Sequence, residues 1–166
     1  VIQGARLPSQ RLCGRFALKT HHVARRPALI TGHHPLSITR KISESPPRNR
    51  SIKVRDIHLR HADGAGNGPL LLLLHGSMRT SRSWDTVARN LCGRFHVKSL
   101  DARGHGASDW TERGYRFSNR VEEVRAFCDQ LALEDVIAVG HSSGAVVLTM
   151  LADKHPPTVN KLVLLE

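Results

Sequence analysis

Hydrophobic residues follow a period of two at the start of the patterned part of the chain. Between residues 51 and 60, Ile52, Val54, Ile57 and Leu59 are each separated from the next apolar residue by polar side chains. A period of two predicts a half-buried strand, here either one kinked strand or two strands joined at the kink. The segment DGAGNG that follows is rich in turn residues and predicts a loop.

Four apolar runs predict the remaining strands. The first, Leu70 to Leu74, is unbroken, which is typical of a central strand covered on both faces. The other three are FHVKSLD, DVIAVG and KLVLLE, at residues 95–101, 135–140 and 161–166. Because KLVLLE is apolar at successive positions, it too is expected to need cover on both faces.

Amphipathic segments lie between these runs and predict helices. In SRSWDTVARNLCGR, residues Trp84, Val87 and Leu91 recur at helical spacing, and the segments NRVEEVRAFCDQLAL and SSGAVVLTMLADKH behave in the same way. Asn119 and Glu122 have the spacing of a capping box at the start of the second helix. Strands alternating with helices predict an α/β fold with a mostly parallel sheet and helices on both faces.

Basic residues are concentrated before the first strand. The chain has a formal charge of +11, but residues 1–50 hold ten Lys or Arg and one acid, Glu44, against fifteen and thirteen in residues 51–166. Residues 1–50 also lack any sustained period, so we expect a basic, disordered extension, with an organellar targeting segment as the alternative. No aromatic ladder accompanies the basic residues, and a nucleic-acid partner is therefore not expected.

The cysteines and the apolar runs restrict the location of the protein. Cys13, Cys92 and Cys128 stand singly, without a CxxC pair, so neither a zinc site nor a disulfide framework is indicated. Cys92 and Cys128 fall on apolar sides of predicted helices and are expected to be buried thiols. The longest apolar run, residues 69–74, is far too short to span a bilayer. We therefore expect a cytoplasmic protein with no membrane partner.

The segment VGHSSG, residues 139–144, joins a predicted strand to a predicted helix. A serine hydroxyl acts as a nucleophile only when it is exposed, activated by a base and surrounded by donors for the developing oxyanion. A sharp strand-to-helix turn would expose Ser142, with Gly140 and Gly144 where the two backbones approach too closely for side chains. The backbone N–H of Ser143 at the helix start is one predicted oxyanion donor, and that of Ser77, after LLLLLHG, is the second.

The segments LLLLLHGS, SLDARGHGASD, VIAVGHSSGA and NKLVLLE occur in this order, and together they resemble the α/β-hydrolase superfamily. The resemblance covers about residues 52–166 and is greatest to the esterase, lactonase and haloperoxidase-like branch. It implies that Ser142 is the nucleophile and that Ser77 and Ser143 supply the oxyanion hole. It also implies a small carboxylic ester or lactone as substrate, with neither a cofactor nor a metal.

Five other polar or aromatic residues attract attention but are predicted to have structural roles. His75 is expected to shape the oxyanion loop, and His105 to belong to a glycine-flanked turn. We interpret Asp101 as a turn or cap residue, Arg103 as a source of loop hydrogen bonds or a salt bridge, and Trp84 as core or pocket wall.

The sequence offers few candidates for the acid and the histidine that would act with Ser142. In this family the triad order along the chain is Ser, acid, His. The one histidine after Ser142 is His155, which a helix of about 12 residues would carry roughly 18 Å away. Glu166 ends the strand after that helix and is a candidate acid. The pattern therefore predicts the N-terminal portion of an α/β-hydrolase domain, ending after that strand, and we expect the 166-residue chain itself to be inactive.

Other interpretations of the same pattern stay open. The chain could be a non-catalytic binding or regulatory module that keeps the fold without the triad. Cofactor-free peracid or halide chemistry cannot be separated from esterase activity by sequence. An epoxide hydrolase or dehalogenase is disfavoured, since those relatives carry an Asp at the position of Ser142. The oligomeric state is not predicted.

Overall fold

A computed structural model describes residues 47–64 and 66–166 of the chain. Most of the predicted basic extension, residues 1–46, lies outside the described residues. The strands are β1 (Arg48–Val54), β2 (Ile57–Asp63), β3 (Leu70–Leu74), β4 (His96–Leu100), β5 (Val136–His141) and β6 (Val159–Leu165). The α-helices are α1 (Asp85–Leu91), α2 (Phe117–Gln130) and α3 (Ser143–Lys154), and short 3₁₀ turns span Ser81–Trp84 and Pro156–Thr158.

The strands form one sheet in the order β1-β2-β4-β3-β5-β6. Strands β4, β3, β5 and β6 are mutually parallel, whereas β2 runs antiparallel to both β1 and β4. The predicted α/β class with a mostly parallel sheet is therefore confirmed. Of the two alternatives for the first apolar segment, the second is correct, because β1 and β2 form a hairpin whose turn contains Arg55 at φ +54°. Strand β1 begins at Arg48, so residues 48–50 belong to the sheet and not to the extension.

Helices cover both faces of the sheet, as predicted. Leu71 and Leu73 of β3 pack with Trp84 and Ala88 in one apolar cluster, on the face covered by α1. The alternate residues of β3 join the larger cluster on the other face, with buried residues of α2 and α3. This alternation follows from the pleat of a strand, which points successive side chains to opposite faces. A single apolar run thus supplies both cores.

Strand β6 is the edge of the described sheet. Val163, Leu164 and Leu165 are between 42 and 50% exposed, although the second half of the strand, residues 162–165, is wholly apolar. The expectation that KLVLLE needs cover on both faces stays a prediction. Apolar edge strands are sites at which further chains or segments pair.

Three local predictions differ from the structure. The helix predicted from residue 81 begins as a 3₁₀ turn and continues as α1 for only seven residues. The capping box is wrong, because α2 begins at Phe117 without a side-chain cap and Asn119 lies inside its first turn. Cys128 is fully buried as predicted, but Cys92 follows α1 and is only half-buried, with its thiol donating to the carbonyl of Arg89.

Candidate active site

Ser142 occupies the turn between β5 and α3 and is exposed. Its backbone has φ +50° and ψ −117°, a conformation that residues with a Cβ rarely adopt. The turn is held on both sides, since the Ser142 N–H donates to the Leu165 carbonyl at 2.9 Å and the Ser142 carbonyl accepts from Ala145 at 2.9 Å. A strained residue fixed by its neighbours in an exposed turn has the geometry of a presented nucleophile.

Gly140 and Gly144 make this turn sterically feasible. A Cβ on Gly140 would lie 2.6 Å from Ala145 Cα, and a Cβ on Gly144 would lie 2.5 Å from the Leu74 carbonyl oxygen. Both distances are far inside van der Waals contact. The prediction that the strand and helix backbones approach too closely for side chains is confirmed at both positions.

The loop after β3 lies directly against the turn. Leu74 pairs with Gly140 across the parallel strands, so the carboxyl ends of β3 and β5 are adjacent. A Cβ on Gly76 would lie 3.1 Å from Ser142 Cβ. Within the described residues, the backbone N–H groups of Ser77 and Ser143 have no hydrogen-bond acceptor, and Ser143 is the first residue of α3. Two unpaired donors therefore flank the Ser142 turn.

His75 supports this loop and has no free ring nitrogen. Its Nδ1 lies 2.7 Å from the Gly76 carbonyl, to which it donates, and its Nε2 accepts from the Ala102 N–H at 3.1 Å. These two partners fix a neutral tautomer. Burial lowers the pKa of His75, although the hydrogen bond to Gly76 opposes that effect. The predicted structural role agrees with this geometry, since neither nitrogen is available to take a proton from a serine.

Asp101 holds together the loops around the site. It is fully buried and accepts from the Ser81 N–H at 2.6 Å, the Ala107 N–H at 3.1 Å and Arg60 Nη1 at 3.1 Å. Burial alone would raise its pKa, but these donors outweigh it, and the pKa of Asp101 is lowered. Asp101 is therefore an ionised carboxylate that organises turns, as predicted. The pairing of Arg60 with Asp101 was not predicted from the sequence.

Arg103 and Glu123 form a second buried support. Arg103 Nε donates to Glu123 at 2.7 Å, and Arg103 Nη2 donates to Asp56 at 3.0 Å, which agrees with the predicted salt bridge. Burial raises the pKa of Glu123, and the bond to Arg103 opposes this. His105 packs 5.1 Å from the His75 ring and its Nδ1 donates to the Arg103 carbonyl at 3.0 Å, so its predicted structural role also agrees. The burial of Glu123 was not predicted from the sequence.

Two cavities open beside the turn. One, of about 220 Å³, is lined by His75, Gly76, Arg79, Ser83, Trp84, His141 and Leu165. Trp84 is therefore both core and pocket wall, which covers the two roles predicted for it. The other cavity, of about 400 Å³, has Ser142, Leu165 and Glu166 among its lining residues. Arg79 and His141 were not predicted to line a cavity. The available signal was their position, since His141 lies within VGHSSG and Arg79 lies two residues after LLLLLHGS.

The side chain of Ser142 has no activating partner among the described residues. Across residues 47–64 and 66–166, no side chain forms a hydrogen bond with Ser142 Oγ. His155 caps the far end of α3, with Nε2 at 3.8 Å from Glu122, so the prediction that it cannot reach Ser142 is confirmed. Glu166 borders the same cavity as Ser142, and its role as an acid stays a prediction.

Neither a metal site nor a membrane-spanning helix is found in the described part of the chain. Its His, Cys, Asp and Glu residues do not gather in groups of three or more that could hold a metal ion. None of its helices combines the length and apolarity needed to cross a membrane.

The fold and the strand–turn–helix around Ser142 place the chain in a class of α/β proteins. In this class an exposed serine lies in a strand-to-helix turn at the carboxyl edge of the sheet. Residues 69–166 match the family model of the alpha/beta hydrolase fold. The chain therefore belongs to the alpha/beta hydrolase family, which confirms the resemblance and the predicted fold.

Known relatives are hydrolases of several kinds. The chain is 35% identical over 101 residues to 2-(acetamidomethylene)succinate hydrolase of Mesorhizobium japonicum, which is 61% of this chain and 36% of that protein. It is 28% identical to epoxide hydrolase 3 of Mus musculus, over 94% of this chain and 41% of that protein. The chain thus spans well under half the length of these relatives.

Solved structures give the same picture. The structure of E-2-(acetamidomethylene)succinate hydrolase superposes with a TM-score of 0.66 at 32% identity, covering 70% of this chain and 43% of that one. An epoxide hydrolase from Vigna radiata superposes with a TM-score of 0.70 at 28% identity, covering 75% of this chain and 39% of that one. The shared fold joins hydrolases with different substrates, so it does not by itself identify the substrate.

Proposed function

We propose that the chain carries the nucleophile-bearing part of a serine hydrolase that cleaves a small carboxylic ester or lactone through an acyl-enzyme. Ser142 is the nucleophile, and the backbone N–H groups of Ser77 and Ser143 stabilise the oxyanion. The proposal rests on the contact between the Gly76 backbone and the Ser142 turn. A Cβ added to Gly76 would lie 3.1 Å from Ser142 Cβ. This contact supports the proposal because Ser77 follows Gly76 and Ser143 follows Ser142, and the backbone N–H groups of both serines are unpaired among the described residues.

The nucleophile type favours acyl transfer over epoxide or haloalkane opening. A serine that attacks a carbonyl forms an ester, and water can hydrolyse an ester in the second half-reaction. A serine that opened an epoxide or displaced a halide would form an ether, which water does not cleave under the same conditions. Although relatives include epoxide hydrolases and a haloalkane dehalogenase, the hydroxyl of Ser142 fits turnover of an acyl substrate.

The base and the acid are proposed to come from outside the described residues, with Glu166 as the alternative acid. No described histidine forms a hydrogen bond with Ser142 Oγ, and His75 has both ring nitrogens occupied. We therefore expect the 166-residue chain alone to hydrolyse p-nitrophenyl acetate no faster than its Ser142→Ala variant. Serine-dependent turnover by this chain would contradict the expected inactivity and would require a base among these residues.

The role of Ser142 is tested in a gene product that extends beyond Glu166. Ser142→Ala is expected to lower kcat for p-nitrophenyl acetate and for a γ-lactone by about 10⁴-fold or more, as in other triad knockouts. Ser143→Ala is the matched control, because it removes the neighbouring hydroxyl and keeps the backbone N–H. Equal losses in the two variants, or none in either, would refute the assignment, and a fully inactive extended protein would favour the binding-module interpretation.

The oxyanion role of Ser77 is tested by the same assay. Ser77→Pro removes the backbone N–H, whereas Ser77→Ala retains it. Loss of one oxyanion donor lowers kcat by about 10²- to 10³-fold. We expect that loss for the proline variant alone, with unchanged circular dichroism. Similar rates for both variants would exclude the Ser77 N–H as a donor.

A further inference from the structure

The loop that carries Ser77 is exposed between two buried ends. Residues 77–79 are all exposed, and Met78 is 97% exposed with φ +58°. At one end Gly76 is buried against the turn of the proposed nucleophile, and at the other Ser81 is fully buried at the start of the 3₁₀ turn. The direction of the Ser77 N–H is therefore determined by how firmly these two ends are held.

Ser81 is held by a carboxylate and a guanidinium. Its N–H donates to Asp101 Oδ1 at 2.6 Å, and its Oγ accepts from Arg60 Nη1 at 2.7 Å. The same Arg60 Nη1 donates to Asp101 Oδ2 at 3.1 Å. Ser81 and Asp101 are fully buried and the Arg60 side chain is 12% exposed, so water competes little for these hydrogen bonds. One guanidinium nitrogen thus joins both groups that fix this end of the loop.

Arg60 is itself fixed by the sheet. It lies on β2, where its carbonyl accepts from the Asp101 N–H at 2.9 Å and its N–H donates to Ser108 Oγ at 2.9 Å. Its Nη2 donates to the Asn49 side chain on β1. A side chain with partners on a neighbouring strand and in two loops retains little rotamer freedom. Arg60 therefore ties the position of Ser81 to that of the sheet.

We propose that Arg60 is a positioning residue for the oxyanion hole, which acts by holding Ser81 and thereby the Ser77 N–H. Arg60 lines neither cavity beside the Ser142 turn, so it acts through the loop and not on the substrate. Preorganised donors stabilise a developing oxyanion because they need no reorganisation during the reaction. That the Ser77 N–H meets an oxyanion rests on the proposed function, whereas the fixing of the loop rests on the contacts of Arg60 alone.

The first test follows backbone amides by NMR in the full chain and needs no turnover. Arg60→Gln removes the guanidinium, so we expect the Ser77 and Met78 amide resonances to shift, or to broaden through exchange on the microsecond to millisecond timescale, while the amides of β3 keep their positions. Ser81→Ala removes only the hydroxyl that Arg60 binds and keeps the Ser81 N–H, and it is expected to change the same resonances. It decides the test if Arg60→Gln fails to fold. Unchanged Ser77 and Met78 resonances in the folded variants would overturn the proposal.

Arg50→Gln is the matched control. Arg50 lies on the same β1–β2 hairpin and pairs with Asp63 at 3.1 Å, which is also the distance of the pair between Arg60 and Asp101. Asp63 is at the end of β2 that lies away from the carboxyl edge of the sheet. Arg50→Gln is therefore expected to leave the Ser77 resonance in place. An equal change in Arg50→Gln and Arg60→Gln would show general loosening of the hairpin and would overturn the proposal.

The second test measures ester hydrolysis by the gene product that extends beyond Glu166. Because loss of a whole oxyanion donor lowers kcat by about 10²- to 10³-fold, Arg60→Gln is expected to lower kcat by about tenfold or more, with KM changed less than about twofold. Added to Ser77→Pro, Arg60→Gln is expected to lower kcat no further, because the N–H that it positions is already absent.

The two tests separate loop positioning from the proposed serine chemistry. Additive losses in the double variant would assign Arg60 to general stability and would overturn its role in the oxyanion hole. If the extended protein fails the ester and lactone assay while the Ser77 resonance responds to Arg60→Gln, the hydrolase proposal falls and the fixing of the loop by Arg60 stands. If the assay succeeds and the resonance does not respond, only the positioning role falls.

Discussion

Protonation of His61 is expected to destabilise the folded chain at mildly acidic pH. His61 lies on β2, is 2% exposed, and packs its ring edge-on against Phe127 at 5.1 Å. Neither of its ring nitrogens has a hydrogen-bond partner among the described residues. Burial is the main cause that lowers the pKa of His61 to about 4. The cations Lys98, Arg50 and Arg60 act in the same direction, while Asp63 opposes them.

The magnitude follows from the difference between the folded and unfolded pKa values. The pKa of His61 is about 4 in the folded chain against an ordinary 6.5, and each pKa unit corresponds to about 1.4 kcal/mol. Between these values the unfolded chain binds more protons than the folded one, so the free energy of unfolding rises with pH. Stability from neutral His61 is complete above pH 6.5 and is lost as the pH falls towards 4, by about 3 kcal/mol in total.

The assay is urea unfolding at several pH values from 4 to 7, for the unmodified chain and for His61→Leu. The leucine variant cannot protonate, so its stability relative to the unmodified chain is expected to improve by about 3 kcal/mol between pH 7 and pH 4. Leu59→Ala is the control, because Leu59 is 1% exposed on the same face of β2 and does not titrate. That variant is expected to lose about 2–5 kcal/mol at every pH alike. Parallel pH curves for His61→Leu and the unmodified chain would refute the reasoning.

Two further predictions concern packing and reactivity. Gly144→Ala places a Cβ 2.5 Å from the Leu74 carbonyl oxygen, so it is expected to lower the free energy of unfolding by roughly 3 kcal/mol in urea titrations. A change below about 1 kcal/mol would show that the turn can open. Burial raises the pKa of the Cys128 thiol to about 12, so iodoacetamide at pH 8 is expected to leave Cys128 unmodified in the folded chain while it labels half-buried Cys92. Peptide mass mapping checks this, and comparable labelling of both residues would contradict it.

The elements that were predicted correctly are those specified by residues close together in the sequence. The apolar run Leu70 to Leu74 identifies a two-sided strand because each of its side chains has to be buried on one face or the other. The Ser142 turn is recognisable because its glycines lie two residues away on each side, and steric crowding at that distance is a property of the turn itself. The helix starts were less accurate. At Phe117 no side chain caps the helix, so the local rule had nothing to detect.

The supports of the site could not be predicted in the same way, because they join distant segments. Arg60 reaches Asp101 across 41 positions, and Arg103 reaches Glu123 across 20. A lone arginine or glutamate in a sequence indicates a solvated surface, since burial of an unpaired charge is costly. Only the antiparallel pairing of β2 with β4, which places His61 opposite Leu100, brings the loop after β4 within reach of Arg60. Sequence reasoning therefore identified the polar residues of the β4 loop without their partners.

The carboxylates that the fold removes from water are paired with cations. Asp101, Glu123 and Asp63 each have cationic partners within the fold, with Asp63 accepting from Lys98 and His96 at 2.7 Å. Such pairs satisfy groups that folding removes from water, so each of these charges has a structural reason.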